Sequence, residues 1–215
     1  MEENYKKYDL TEFQNYLISG DYEKCLDIVR EIIKNEGEIR FLYDEILKKS
    51  LYGVGEMWEQ SKITIATEHM ASAIVETILS EVYFKVVTKD KKNKKAVISC
   101  TENEFHQIGI KMVSDVFEMN GWKVTFLGAN TSTSLIIDTV KNENPDILAI
   151  SLSVPFNLPV LDSMLAKIRA TFPDLYILVG GQAFLHGGLD VISKYEKLIY
   201  KSDLKELDEF LNNNI

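Results

Sequence analysis

Three histidines occur in the 215 residues, and one of them, His106, stands in a stretch where it could do chemistry. The stretch is AVISCTENEFHQIGIKM, residues 96–112. An apolar run, Ala96 to Cys100, gives way to four polar residues, then comes the histidine, then Gly109 and helix-like apolar spacing. An imidazole placed just past the end of such a run can ligate a metal through one ring nitrogen. A neighbouring carboxylate, here Glu104, can hold the other nitrogen and fix the tautomer. Further along, the hydroxyls of Ser151 and Ser153 and the pair Gly180–Gly181 close other apolar runs, and glycines there let something bulky approach the backbone. Neither GxGxxG nor GxxxxGK[ST] occurs, so these loops do not read as a phosphate cradle. His186, in FLHGG, reads as a loop residue without a role.

The elements that must position these residues follow from periodicity. Residues 9–87 read as helix throughout. Thr11 with Gln14 suggests a capping box opening a first helix that Gly20 ends. Asp21 suits the cap of a second, with Tyr22, Cys25, Leu26, Val29, Ile32 and Ile33 at 3.6-residue spacing. A third carries Ile39, Leu42, Tyr43, Ile46, Leu47, Leu51 and Val54. A fourth begins near Thr67 and carries Met70, Ala73, Ile74 and Ile78. Four amphipathic helices with short connections imply an antiparallel bundle. TKDKKNKK, residues 88–95, has no apolar residue and reads as a linker.

Beyond it the period changes. Strand-like runs at Ala96–Cys100, Lys123–Leu127, Ile147–Leu152, Tyr176–Val179 and Leu198–Tyr200 alternate with helical stretches near 106–119, 133–142, 158–171, 184–194 and 203–211. Five such alternations imply a parallel five-stranded sheet with helices on both faces, in a flavodoxin-like (Rossmann-like) order. The expected fold class is therefore α/β: a four-helix bundle over residues 1–88, a linker at 89–95 and the α/β domain over 96–215. In such sheets ligands bind outside the carboxyl ends of the strands, where His106, Ser151, Ser153 and Gly180 all fall.

Composition narrows the classes. Acidic residues outnumber basic ones, 33 to 24, for a formal charge of −9, which argues against a nucleic-acid surface. The two cysteines, Cys25 and Cys100, form no CxxC, as fits a reducing cytoplasm. The first ten residues are too polar for a signal peptide, and no apolar run reaches membrane-spanning length. We expect a cytoplasmic protein without membrane or direct nucleic-acid partners.

The set Glu104-x-His106-x-x-Gly109, Ser151-x-Ser153 and Gly180-Gly181 resembles the signature of cobalamin-binding domains, usually written DxHxxG, SxL and GG. The resemblance implies that His106 replaces the benzimidazole of the vitamin as lower axial ligand of cobalt, with the nucleotide tail against the Ser and Gly positions. The preceding bundle resembles the cap over the upper face of the corrin. Within it, MWEQSKITIATEHMAS holds Trp58, nine residues, then Glu68-His69. This resembles the W-x9-EH motif of the CarH/LitR light-sensing regulators, whose sensory half binds adenosylcobalamin and which tend to carry Glu in the first position of the strand-one motif. The resemblance implies that Trp58 packs on the adenosyl group and Glu68 bonds its ribose. An indole face suits an adenine, and a carboxylate accepts well from a diol. Two departures stand out. A winged-helix DNA-reading domain before the bundle is not expected from these residues, and Glu59 occupies the position of the histidine that follows the tryptophan in the family and is thought to be a second cobalt ligand in the light state.

Each residue also has a structural reading: His106 as a helix-start residue, Trp58 as bundle core, Glu68 and His69 as first-turn residues on a helix dipole, Ser151 and Ser153 as partners of backbone groups. Taken together, the expectation is a photoreceptor module that is not an enzyme. It would bind adenosylcobalamin, cleave a cobalt–carbon bond in light, and signal through a partner protein or a change of homo-oligomeric state. The alternatives are a corrinoid methyl-carrier subunit of a methyltransferase system, and a flavodoxin-like interaction module without cofactor.

Overall fold

The computed structural model describes residues 8–34 and 39–213. The outermost parts of the expected ranges, 1–7 and 214–215, and residues 35–38 of the bundle lie outside the described residues. The chain falls into two compact units that divide between Val86 and Val87.

The first unit is helical: α1 (Leu10–Ser19), α2 (Tyr22–Ile32), then α3 (Ile39–Phe41), π-helical Leu42–Lys48 and α4 (Lys49–Glu59) in one unbroken run, then α5 (Ile65–Val86). Asp9 rather than Thr11 caps α1, its carboxylate accepting from the Thr11 N–H at 2.8 Å and the Glu12 N–H at 3.4 Å. An acid at this position satisfies amide donors that the helix leaves unpaired. Gly20, at φ 76°, ends α1 in the left-handed conformation. The Asp21 carboxylate accepts the Lys24 N–H at 3.3 Å to open α2. The helix expected near Thr67 begins two residues earlier, because the Thr64 hydroxyl accepts the Thr67 N–H at 3.2 Å.

The third helix departs most from the expected period. Leu42, Ile46, Ser50 and Val54 are all buried, each four residues from the last. On an ideal α-helix such a series drifts by about 40° per step. A π turn holds more residues per turn and takes up the drift, so the series stays on one face. With Phe13, Leu17, Leu26, Val29, Val75, Ile78 and Leu79 these residues form the buried interior of the unit.

The second unit is a parallel sheet of β1 (Lys95–Cys100), β2 (Lys123–Gly128), β3 (Ile147–Ser151), β4 (Tyr176–Gly180) and β5 (Leu198–Tyr200), in the order β2-β1-β3-β4-β5. The connecting helices are α6 (Ile108–Met119), α7 (Thr133–Glu143), α8 (Leu158–Thr171), α9 (Leu189–Ser193) and the terminal α10 (Leu204–Asn213). Right-handed crossovers out from β1 and back place α6 and α7 on opposite faces; α10 packs with α6, and α8 with α7. Val97, Leu148, Ile150, Ile177 and Val179 meet Ile136, Val140, Leu161, Met164, Leu165 and Ile168 in one core. The alternate positions Ala96, Ile98, Ala149 and Leu178 are buried as well, so both faces are covered. Helix was expected over 184–194. Instead a 3-10 turn, Gln182–His186, and the short α9 are separated by Gly187 and Gly188, both at positive φ.

Candidate functional site

Strand order reverses between β1 and β3, where Cys100 lies opposite Ser151, and the loops that leave those two strands are tied together. The Thr101 N–H and hydroxyl both donate to the Ser151 carbonyl, at 2.9 and 3.0 Å. Asn103 adopts a left-handed φ of 67°, which Asn tolerates, and its N–H donates to Asn130 Oδ1 at 3.0 Å. The Asn130 N–H in turn donates to the Glu104 carbonyl at 2.7 Å, which brings in the loop after β2.

The Glu104 carboxylate, fully buried, is the hub. Its Oε1 lies 2.9 Å from the His106 backbone N–H and 2.5 Å from His106 Nδ1. Its Oε2 accepts the N–H groups of Ser153 at 2.8 Å and Val154 at 3.0 Å. Burial pushes this carboxyl toward the protonated form, but the His106 ring and the three backbone donors outweigh it and hold the pKa at about 2. An ionised carboxylate only accepts, so Nδ1 bears the proton that faces it, and Nε2 is the nitrogen left to ligate. The His106 side chain is 64% exposed. A neutral imidazole held in one tautomer by a second-layer carboxylate is the form in which histidine ligates metals. Among the described residues no group of three or more His, Cys, Asp or Glu could hold a metal ion. A lone imidazole suits a metal that brings its other ligands with it, as one inside a macrocycle does.

The glycines divide. Gly109 is exposed in the first turn of α6, and a Cβ there would meet nothing in the chain, so that face is open to a ligand. Gly181 has an internal reason: at φ 113° a Cβ would collide with the Leu152 carbonyl, which also accepts the Ala183 N–H at 3.2 Å. A Cβ on Gly180 would stand 3.0 Å from the Lys201 carbonyl. At Gly181 the chain's own backbone demands glycine, apart from any ligand. Ser151 is buried with its carbonyl engaged, and Ser153 takes part through its backbone N–H.

Residue types alone did not single out Val154, Thr101 or Asn130, because their contributions include backbone groups that every residue possesses. Phe105, next to His106, and Phe156, in the turn after Val154, are 67% and 89% exposed. Large apolar side chains left in water on the loops that Glu104 ties together suit a large, partly apolar ligand.

In the helical unit, Trp58 lies in the last turn of α4 and is 44% exposed, so it is not bundle core; the fully buried tryptophan is Trp122. The Ser61 N–H bonds to the Trp58 carbonyl at 2.8 Å and the Lys62 N–H to that of Met57 at 2.8 Å, which closes a tight connection to α5. Glu68 sits in the first turn of α5, its Oε1 accepting from the Ser72 hydroxyl at 2.9 Å and its Oε2 lying 3.6 Å from Nε2 of the exposed His69.

Both units match the B12 binding domain: residues 94–191 match one description of it and residues 10–83 another. The chain belongs to the cobalamin-binding domain proteins. Among its relatives, the HTH-type transcriptional repressor CarH of Myxococcus xanthus is 25% identical over 164 residues, 76% of this chain and 54% of CarH. The HTH-type transcriptional repressor CarA of the same organism is 28% identical over 90 residues, 42% of this chain and 31% of CarA. The chain thus spans about half the length of CarH and less of CarA. In fold it is similar to the monomethylamine corrinoid protein of Methanosarcina barkeri, with a TM-score of 0.78 at 13% identity over 92% of this chain and 94% of that one. It is also similar to a novel cobalamin-binding protein of Desulfitobacterium hafniense DCB-2, at a TM-score of 0.52 and 18% identity over 96% and 98% of the two chains.

Proposed function

We propose that the chain is an adenosylcobalamin-binding light-sensing module that signals to a protein partner or through its own oligomeric state. The observation that carries this reading is the exposed imidazole of His106, locked by a buried, ionised Glu104 and flanked by the open face at Gly109. Adenosylcobalamin supplies a cobalt–carbon bond that light can cleave. His106 Nε2 would hold the metal, and Glu104 keeps the ring from turning by accepting from Nδ1. The surfaces of Ser153 and Gly180 border the nucleotide tail. Trp58 offers a flat face to adenine, and Glu68, steadied by Ser72, accepts from the ribose diol. Trp58 would have a partner with that group bound and none without it, so the ligand would bias a two-state arrangement. Support for light sensing rather than carriage comes from Trp58 and Glu68, whose spacing resembles the W-x9-EH motif, together with the sequence likeness to the transcriptional repressor CarH.

The second reading is a corrinoid methyl carrier, favoured by the likeness in fold to the monomethylamine corrinoid protein. It shares the lower site but has no use for a tryptophan that shields the upper face. Protein loaded in the dark with adenosylcobalamin or with methylcobalamin separates the two. The sensor reading expects tighter binding of the adenosyl form, and an absorbance spectrum and elution volume that both change after green light. Preference for the methyl form, or a photostable adenosyl complex of unchanged size, contradicts it.

A further inference from the structure

Gln14 closes no capping box. From α1 its side chain crosses to the helix that carries Trp58 and donates from Nε2 to the Ser50 carbonyl at 3.1 Å. Gly53, three residues on, makes room for it, since a Cβ there would collide with Nε2. Ser50 is fully buried, its hydroxyl has no hydrogen-bond partner among the described residues, and it is the second residue after the π-helical segment.

These features lie together for a physical reason. A π turn adds a residue to one turn of the helix, so relaxation to α register would rotate everything downstream by about 100° about the axis. Trp58 is downstream, with Gly53 and Gly55 in between, two residues that weaken a helix. A hydrogen bond from a neighbouring helix to the first turn after the π segment resists that rotation at the point where it would start.

We propose that Gln14, seated against Gly53 and bonded to the Ser50 carbonyl, is a positioning residue that fixes the register of α4 and so the direction of Trp58. The proposal rests on the reading of Trp58 as the side chain that faces the upper ligand, and the experiment separates the two. Gln14→Ala, Gln14→Glu (similar size, no N–H donor), Gly53→Ala and the double variant Gln14→Ala/Gly53→Ala are compared with the parent protein. Three quantities are read: thermal midpoint, iodide quenching of tryptophan emission, and the ratio of affinities for adenosyl- and methylcobalamin. Trp122 is fully buried, so quenching reports Trp58.

Each single variant is expected to change the quenching constant and to reduce the adenosyl preference by about fivefold, the order of one intramolecular hydrogen bond. Gly53→Ala should lower the midpoint in the parent but raise it once Gln14 is alanine, because alanine is the better helix former when nothing occupies the notch. Unchanged quenching in all single variants, or a Gly53→Ala effect of the same sign and size in both backgrounds, overturns the proposal. Changed quenching with an unchanged affinity ratio supports the positioning role and refutes the cofactor-facing reading of Trp58.

Discussion

A carboxyl shut away from water normally takes up a proton, and Glu104 stays charged because three backbone N–H groups and an imidazole N–H converge on its two oxygens. The same contact fixes the orientation of the His106 ring. Two other groups show burial winning. The Cys25 thiol, inside the helical unit, is pushed up from 9.0 to about 12 chiefly by burial. Tyr195 is raised from 10.0 to about 12 by burial and by its hydrogen bond to Asp162. Both pKa values are higher in the folded chain, so above pH 9 the unfolded chain releases protons that the folded chain retains. The stabilisation is complete below that pH and is lost as pH rises toward 12. A thermal melt series should therefore show midpoints falling over this window; a flat or rising series would contradict these shifts.

Elements explain why the glycines are not equivalent. Gly109 lies in an ordinary helical turn with open space beyond it, whereas Gly181 turns the chain out of β4 under the Leu152 carbonyl. Gly181→Ala should cost about 1–3 kcal/mol of unfolding free energy through backbone strain and collision. Gly109→Ala should be neutral or stabilising by up to about 1 kcal/mol, while weakening cobalamin binding. Denaturant unfolding measures the difference, and equal costs for the two would contradict the assignment. The strands were legible because five apolar runs alternate with helical stretches, and the caps at Gly20 and Asp21 because their residue types have few other uses. The π turn was not, since a helical period was assumed throughout. Gln14 was misassigned for a related reason: spacing places Thr11 and Gln14 one turn apart, but which helix a long amide reaches depends on tertiary packing. Gly187 and Gly188 broke the expected last crossover helix, although the FLHGG pattern already carried that signal.

At the scale of the whole molecule, Glu104 and Ser153 meet because the loops that carry them leave adjacent strands of one parallel sheet, and His106 and Ser153 share the Glu104 carboxylate across the reversal of strand order. That convergence could be anticipated from the order of elements. The identity of the hub's other donors could not, because they are main-chain groups. Trp58 and Glu68 belong to a separate helical unit that matches its own B12 binding domain, so the sensor reading draws on both halves of the chain. Its central claim concerns one bond, from His106 Nε2 to cobalt, and electron paramagnetic resonance reads that bond directly. In the divalent cobalt form the unpaired electron couples to the axial nitrogen beneath the metal. Protein grown with heavy-isotope histidine and loaded with unlabelled vitamin should convert the nitrogen splitting from a triplet to a doublet, and His106→Ala should abolish that conversion. A triplet that persists in the labelled protein would mean that the vitamin keeps its own base, and the account would fail.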